Sequence, residues 1–530
     1  MEMRNMDDTR RRLRGLPALP GLALTASLAL GATAASAQEL VWARYGDIDS
    51  LDPHRATSTL SMQVWDQIYD TLLAFDMEGN PGPNMAESWE ASEDGLEYTF
   101  TLNDGIMCHD GSPFDANDVK FTIDRAFGDT PSLTKTSWGP ITDVTVVDPL
   151  TFKVTLASKF GAFLPFLADS FSSMICDSNT AETFGSTTAI GTGPFSLDEW
   201  VKGSEVALSK NPDYVNYGEP YDNEGAPHID RLLIRTVPEA QTRLAALRTG
   251  EVHIAEPPFD DIEAIKEAGE LEIMVAENTG QDVFWEFTTS RAPFDDIRAR
   301  QAVAYATDPQ MAIDIIYGGL TNREWCPVAR GVFGNDQEFC KQYGYEYDPE
   351  KAKALLAEMG YGPDDPLETT MFVWTGGNRH KLAEIFQSQL AQVGIDAGIE
   401  IMDIGTMNAR VKAQNEDTTS DEPGTFDMMT WSWYDPDILY QLWHSPGAYS
   451  GYQSPELDAM LEETRTTIDP DARLQKVQAV IKYLMENAVH IGLYSPGWEW
   501  VFAVRPEVEG FKVGPFLHPN FLDVTVVSGG

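Results

Sequence analysis

Basic residues are scarce in this 530-residue chain. Only 37 Lys and Arg stand against 83 Asp and Glu, a formal charge of −46. A field of that sign repels nucleic acid and anionic membrane surfaces, so neither is an expected partner, and it favours solubility. Cysteine and histidine are also few, at four and eight. No CxxC or HxxxH spacing occurs among them, so no metal site is expected. GxSxG, HExxH, the P-loop and a GxGxxG after a strand are all missing, which removes the usual signatures of hydrolases and nucleotide-dependent enzymes. No enzyme activity and no cofactor are expected. Past the N-terminal region there is no run of about 18 apolar residues, so no membrane span is expected.

What is present begins with an export signal. Thr9 to Gly15 (TRRRLRG) is basic, Leu16 to Ala35 is mostly apolar, and Ala35-Ser36-Ala37 is an A-x-A cleavage site. Residues 1–37 therefore read as a signal peptide cleaved after Ala37, with the mature protein in the periplasm. Thr9-Arg10-Arg11-Arg12-Leu13 is also similar to a twin-arginine signal. In an exported protein, an even count of Cys suggests disulfides. Three pairings of Cys108, Cys176, Cys326 and Cys340 are possible. Cys326–Cys340 closes the shortest loop, and Cys108–Cys176 would follow.

The stretch richest in candidate chemistry is Phe426 to His444, FDMMTWSWYDPDILYQLWH. Phe426 to Trp433 reads as a buried strand. It delivers Trp431, Trp433 and Tyr434 to a break at Asp435-Pro436-Asp437. Flat rings bury much area for few lost rotamers, and a few polar groups fix orientation, so this is the chemistry of a ligand cleft.

The chain is too long for one core, and two or three domains are expected. Strands alternate with helices throughout, which argues mixed α/β. Leu40 to Gly46 reads as a strand and Ser61 to Phe75 as a helix. Asp115 or Asn117 is placed to cap a helix over Asp118 to Ala126. Arg379 to Val393 carries apolar residues at helical spacing and stops at Gly394. A second helix spans Asp471 to Glu486. Gln414 to Gly424 reads as a solvated loop. His109, in a turn, reads as structural.

Residues 84–127 carry a longer signature. Ala86, Ser88, Trp89, Tyr98 to Phe100, Leu102, Gly105, His109 to Gly111, Phe114, Ala116 and Asp118 to Thr122 resemble the signature block of family 5 extracytoplasmic solute-binding proteins, the oligopeptide-, dipeptide- and nickel-binding group of ABC importers. Ala189 to Trp200 (AIGTGPFSLDEW), Lys210 to Tyr214, Ile229 to Ala255, Phe287 to Asp308 and Asp348 to Tyr361 extend the resemblance over nearly all of the mature chain.

That resemblance implies an α/β, two-lobed periplasmic-binding-protein fold (class II, cluster C) with an extra small domain. Lobe I would comprise 38–84, 190–282 and 499–530, the small domain 85–189, and lobe II 283–498. It implies a monomeric carrier that captures a small solute, foremost short peptides, and delivers it to ABC permease transmembrane subunits. A carbohydrate oligomer, an amino-acid derivative or a metal chelate is the alternative cargo, and a secreted hydrolase the alternative class. The implied cleft residues are Tyr45, Asp47, Thr57, Ser58, Trp285, Trp431, Trp433, Tyr434, Asp435 and Trp498, with the GTGPF loop beside them. One departure stands out. Peptide binders of the family have a longer segment here, with an Asp that pairs with the peptide's α-amino group. In this chain Trp433-Tyr434 run straight into Asp435-Pro436, leaving Asp435 and Asp437 as the only acids to replace it.

Overall fold

The structure is a computed structural model. It describes residues 38–527 apart from 57, 129–131, 133, 181, 219–220, 277, 376–377, 418–420, 446–450 and 496–499. The signal peptide, Thr57 and Trp498 lie outside the described residues.

Among the described residues there are three larger sheets. The first has seven strands in the order Glu272–Val275, Val501–Val504, Ile254–Ala255, Glu39–Arg44, Arg231–Thr236, Glu205–Lys210, Phe195–Val201. Its central strand, Glu39–Arg44, is apolar and almost wholly buried, and runs parallel to both neighbours. A continuous apolar run is what a strand covered on both faces requires. The second sheet has six strands in the order Asn322–Arg323, Ile491–Ser495, Gln281–Phe287, Phe426–Ser432, Leu367–Trp374, Ile395–Met402. The third is a four-stranded antiparallel meander within residues 86–156.

The chain goes from one of the first two sheets to the other twice, after Val275 and before Gln281, and after Ser495 and before Val501. The strand of the second sheet opens at Gln281, two residues before the expected lobe boundary. The two passages are tied together: Ala276 N–H donates to the Trp500 carbonyl (3.1 Å) and Trp500 Nε1 donates to Gln281 Oε1 (2.9 Å). Gly280 sits here at φ +67°, and a Cβ on it would fall 2.6 Å from the Trp433 carbonyl oxygen and from the Phe516 ring. Only glycine allows this passage so close to both neighbours.

Most elements follow their sequence signals. The helix Arg379–Val393 ends on Gly394 in the left-handed conformation. Asp115, not Asn117, caps the helix Ala116–Phe127, in a capping box with Asp118. Three expectations need correction. The first helix is only Thr59–Trp65, because Asp66 to Asp70 turn and Leu73–Phe75 pairs as a strand with Pro81–Pro83. The helix Ile404–Glu416 runs into the acidic stretch read as loop. The helix after Asp469 starts one residue early, with Pro470 in its first turn, where a missing N–H costs nothing.

Both cysteine pairs, Cys108–Cys176 and Cys326–Cys340, are joined. His109 is structural. Its ring meets the Gly193 carbonyl (3.0 Å) and accepts from Gly191 N–H (3.3 Å), which fastens the HDG turn onto the GTGPF loop. That loop also lies against Ile68, where a Cβ on Gly191 would meet the Ile68 carbonyl oxygen at 2.0 Å. It is a joint in the fold.

Candidate binding cleft

Leu367–Trp374 runs parallel to Ile395–Met402 and to Phe426–Ser432. Their carboxyl ends share one edge of the second sheet, and in open α/β sheets ligands bind outside that edge. Trp374, Trp431 and Trp433 emerge there, each half-buried. The indole N–H groups of Trp374 and Trp433 are buried without a hydrogen-bond partner among the described residues. Native proteins leave few such donors, and each calls for an explanation.

Helix Arg379–Val393 opens at the same edge. Its cap, Asn378, has φ 59° and makes no side-chain cap bond, and Arg379 is buried with its guanidinium carbon over Trp374, 3.5 Å from the ring centroid. A helix N-terminus and a buried guanidinium both favour an anionic group.

Trp433 and Tyr434 form a seam. The Trp433 backbone N–H donates to the Gly280 carbonyl (3.0 Å), which ties the rim to the passage between the sheets. The Tyr434 ring stacks on Trp433 (centroids 5.1 Å) and packs against Phe75 (6.3 Å) and Phe166 (6.0 Å), which belong to other parts of the chain; Phe516 closes on Phe75 (4.8 Å). Tyr434 is thus a buried contact between the six-stranded sheet's side and the N-terminal half of the protein.

Asp435 is fully buried, with both carboxylate oxygens taken by Arg473 (2.6 and 2.8 Å). Asp437 pairs with Arg465 Nε (2.7 Å), and burial raises its pKa to about 6. The DPD acids therefore anchor the two helices Pro455–Thr466 and Pro470–Glu486. Neither offers a carboxylate to a ligand ammonium, which corrects the expectation for Asp435. Trp285 is corrected likewise. It is 0% exposed, packed on Phe386 and Phe426, and donates to Thr307 Oγ1 (3.4 Å). It points into the helix layer, on the face away from Phe284.

On the seven-stranded sheet the parallel carboxyl ends are those of Glu39–Arg44, Arg231–Thr236 and Ile254–Ala255. Tyr45 leaves this edge 47% exposed. Asp47 is engaged locally, accepting from Trp200 Nε1 (3.1 Å) and Gly203 N–H (2.6 Å). Ser58 caps the first helix by position only. Beneath them Arg44 is buried, donates to Leu60 O (2.8 Å) and Gln63 Oε1 (2.9 Å), and is lowered to about 10 by burial. Arg243 and Glu256 complete this buried ionic group at 3.7 Å.

Residues that sequence reasoning missed are Trp374, Arg379, Gln281 and Trp500. Trp374 and Arg379 carried a signal: in the sequence they flank Gly376-Gly377, between an apolar strand pattern and a strong helix pattern. Trp500 had none that distinguished it from Trp498.

The family model described as bacterial extracellular solute-binding proteins, family 5 Middle, matches residues 80–450. The chain belongs to this family. The glutathione-binding protein GsiB of Escherichia coli (strain K12) is 30% identical over 523 residues, 95% of this chain and 97% of that protein. HbpA2 from Haemophilus parasuis has a TM-score of 0.77 at 25% identity, covering 92% of this chain and 99% of that one. DppA from Helicobacter pylori, solved with peptide STSA, has a TM-score of 0.72 at 26% identity, with 92% and 98% covered. A family 5 protein is the extracytoplasmic solute-binding component of an ABC importer: it takes up a small solute between two lobes and hands it to the membrane-spanning permease subunits. The carboxyl edge bearing Trp431 and Trp433 belongs to the six-stranded sheet.

Proposed function

We propose that this family 5 protein is a periplasmic carrier of short peptides or closely related amino-acid derivatives, released from its signal peptide after Ala37. Lobe I is 38–84, 190–282 and 499–530, the small domain 85–189, and lobe II 283–498. The solute lies against Trp431 and Trp433, with its carboxylate toward the N-terminus of the helix that Arg379 begins. Tyr45 and Ser58 face it from the edge of lobe I. The observation that carries this reading is the pair of indole donors, Trp374 and Trp433, with no partner among the described residues at the carboxyl edge of lobe II. GsiB is a glutathione-binding protein and DppA was solved with a peptide, which supports a peptide-like cargo.

The amino end of the cargo is held without a DPD carboxylate, because Asp435 and Asp437 already serve Arg473 and Arg465. A buried ammonium with no partner costs several kcal/mol. Cargo with a masked or solvent-facing amino group is therefore preferred over a free α-amine deep in the cleft. The protein does no chemistry on its cargo. Ser170, His518 and Asp66 meet, yet Ser170 Oγ (3.2 Å) and Asp66 Oδ2 (2.8 Å) both approach the same nitrogen, Nδ1. A nucleophile–base–acid relay needs the two ring nitrogens to serve different partners.

Calorimetric titration with reduced glutathione, di- and tripeptides, their N-acetyl forms and their C-terminal amides tests the proposal. Binding of at least one free-carboxylate member, weakened by amidation and unharmed by N-acetylation, is expected. Equal loss on acetylation and amidation, or binding of sugars alone, would overturn it.

A further inference from the structure

The strands Gln281–Phe287 and Phe426–Ser432 place two acids directly opposite each other. Glu286 and Asp427 are register partners in the antiparallel ladder. Glu286 is 1% exposed and Asp427 2%. Both oxygens of Glu286 and Oδ1 of Asp427 have no hydrogen-bond partner among the described residues. Like charges in facing positions repel, and an isolated buried carboxylate is among the costliest groups a core can hold.

No cation among the described residues is paired with them. They share a face with Phe284 and Met429, against which lie the helices Ile404–Glu416, Ile438–Trp443, Pro455–Thr466 and Pro470–Glu486. The basic groups of those elements, and His444 beside them, are engaged elsewhere. Arg410 pairs with Glu400 and covers the Phe372 ring, and Lys412 pairs with Glu416. His444 meets Glu462, Arg465 holds Asp437 and Arg473 holds Asp435. Lys476 pairs with Glu463 and Lys482 with Glu486. Along the same strand Asp282 takes His490 (2.9 Å), and the nearby Arg291 donates to the Gln414 and Asp417 carbonyls.

We propose that Glu286 and Asp427 share protons as a carboxyl pair and form a pH-sensitive clasp between the strand leaving the lobe passage and the strand bearing the aromatic rim. A protonated carboxyl facing another supplies the donor that two carboxylates lack. Burial pushes both acids up from the ordinary carboxylate range, and the Glu286 charge pushes Asp427 further. The sign follows. Folded acids keep protons that the unfolded chain has released near pH 4. The clasp therefore contributes most below that value, and its contribution falls as pH rises through the folded titration. Each retained proton makes the folded-to-unfolded ratio fall about tenfold per pH unit in that window.

The test is urea denaturation from pH 5 to pH 9.5 of the wild type, Glu286→Gln, Asp427→Asn and the double variant, with infrared spectra of the folded proteins. A protonated-carboxyl band at pH 7 that loses intensity in each single variant is expected. So is a stability loss with rising pH that is shallower in the variants by about one proton. If the amide variants do not fold, the wild-type band is read at pH 9, above the range in which Asp169 and Glu324 lose their protons: its persistence there and its loss on further alkaline titration before unfolding support the clasp, and its absence there overturns it. Absence of the band at pH 7, identical pH slopes in all four proteins, or a gain in stability on adding sodium or calcium that the amide variants lack would overturn the proposal.

Discussion

At the scale of single residues, proximity in sequence misleads about role. Trp431, Trp433, Tyr434 and Asp435 are neighbours, yet the first two line an edge, the third fills an interface and the fourth anchors a helix. Tyr434 and Asp435 take those roles from Phe166 and Arg473, respectively. Nothing within the segment names such partners, so the fate of Asp435 was not legible. Arg473→Gln leaves a buried carboxylate alone and should destabilise by about 3–5 kcal/mol, read from denaturant midpoints. Trp285→Ala should cost about 3–5 kcal/mol of stability as a core truncation. Trp433→Ala should weaken cargo binding at least tenfold while leaving the midpoint near that of the wild type. A Trp285→Ala protein of unchanged stability but lost affinity would return that residue to the cleft.

At the scale of elements, legibility follows the strength of local signals. Arg379–Val393 has apolar spacing and a terminal glycine, and both ends fall where expected. Thr59–Trp65 is shorter than its pattern, because the residues that continue the apolar run, Ile68 and Tyr69, serve a turn locked to Gly193 and Phe195 by backbone bonds. Tertiary pairing overrode periodicity there. The strand Gln281–Phe287 opens two residues before the boundary that the resemblance implied, since strand and passage differ by only a glycine. The cysteine pairs also belong to this scale. Cys108–Cys176 spans 68 residues and Cys326–Cys340 spans 14. Loop entropy predicts a loss of roughly 4 kcal/mol for Ser replacements of the first pair and about 3 for the second, compared by chemical denaturation.

At the scale of the whole molecule, the buried acids set the pH response. Burial raises Asp70 to about 6 and Asp169 and Glu324 to about 7. All three keep protons that the unfolded chain releases near pH 4, so their contribution is full below that value and is lost as pH rises to about 7. The protein should be most stable in mild acid, and Asp169→Asn should flatten the decline between pH 4 and 7. The acidic composition was visible from the start. Which acids are buried was not, because burial is decided by contacts between distant segments.

The central claim is that a small solute is held between the lobes against the rim of Trp431 and Trp433. Native mass spectrometry of the protein taken from its own periplasm tests it most directly. The account predicts one small non-covalent adduct per chain, lost on denaturation and absent from the Trp431→Ala/Trp433→Ala protein. An adduct retained unchanged in that variant would contradict it. So would bare wild-type protein that gains no stability from any peptide supplied at one hundred times a micromolar Kd, where a bound solute should add about 2.7 kcal/mol.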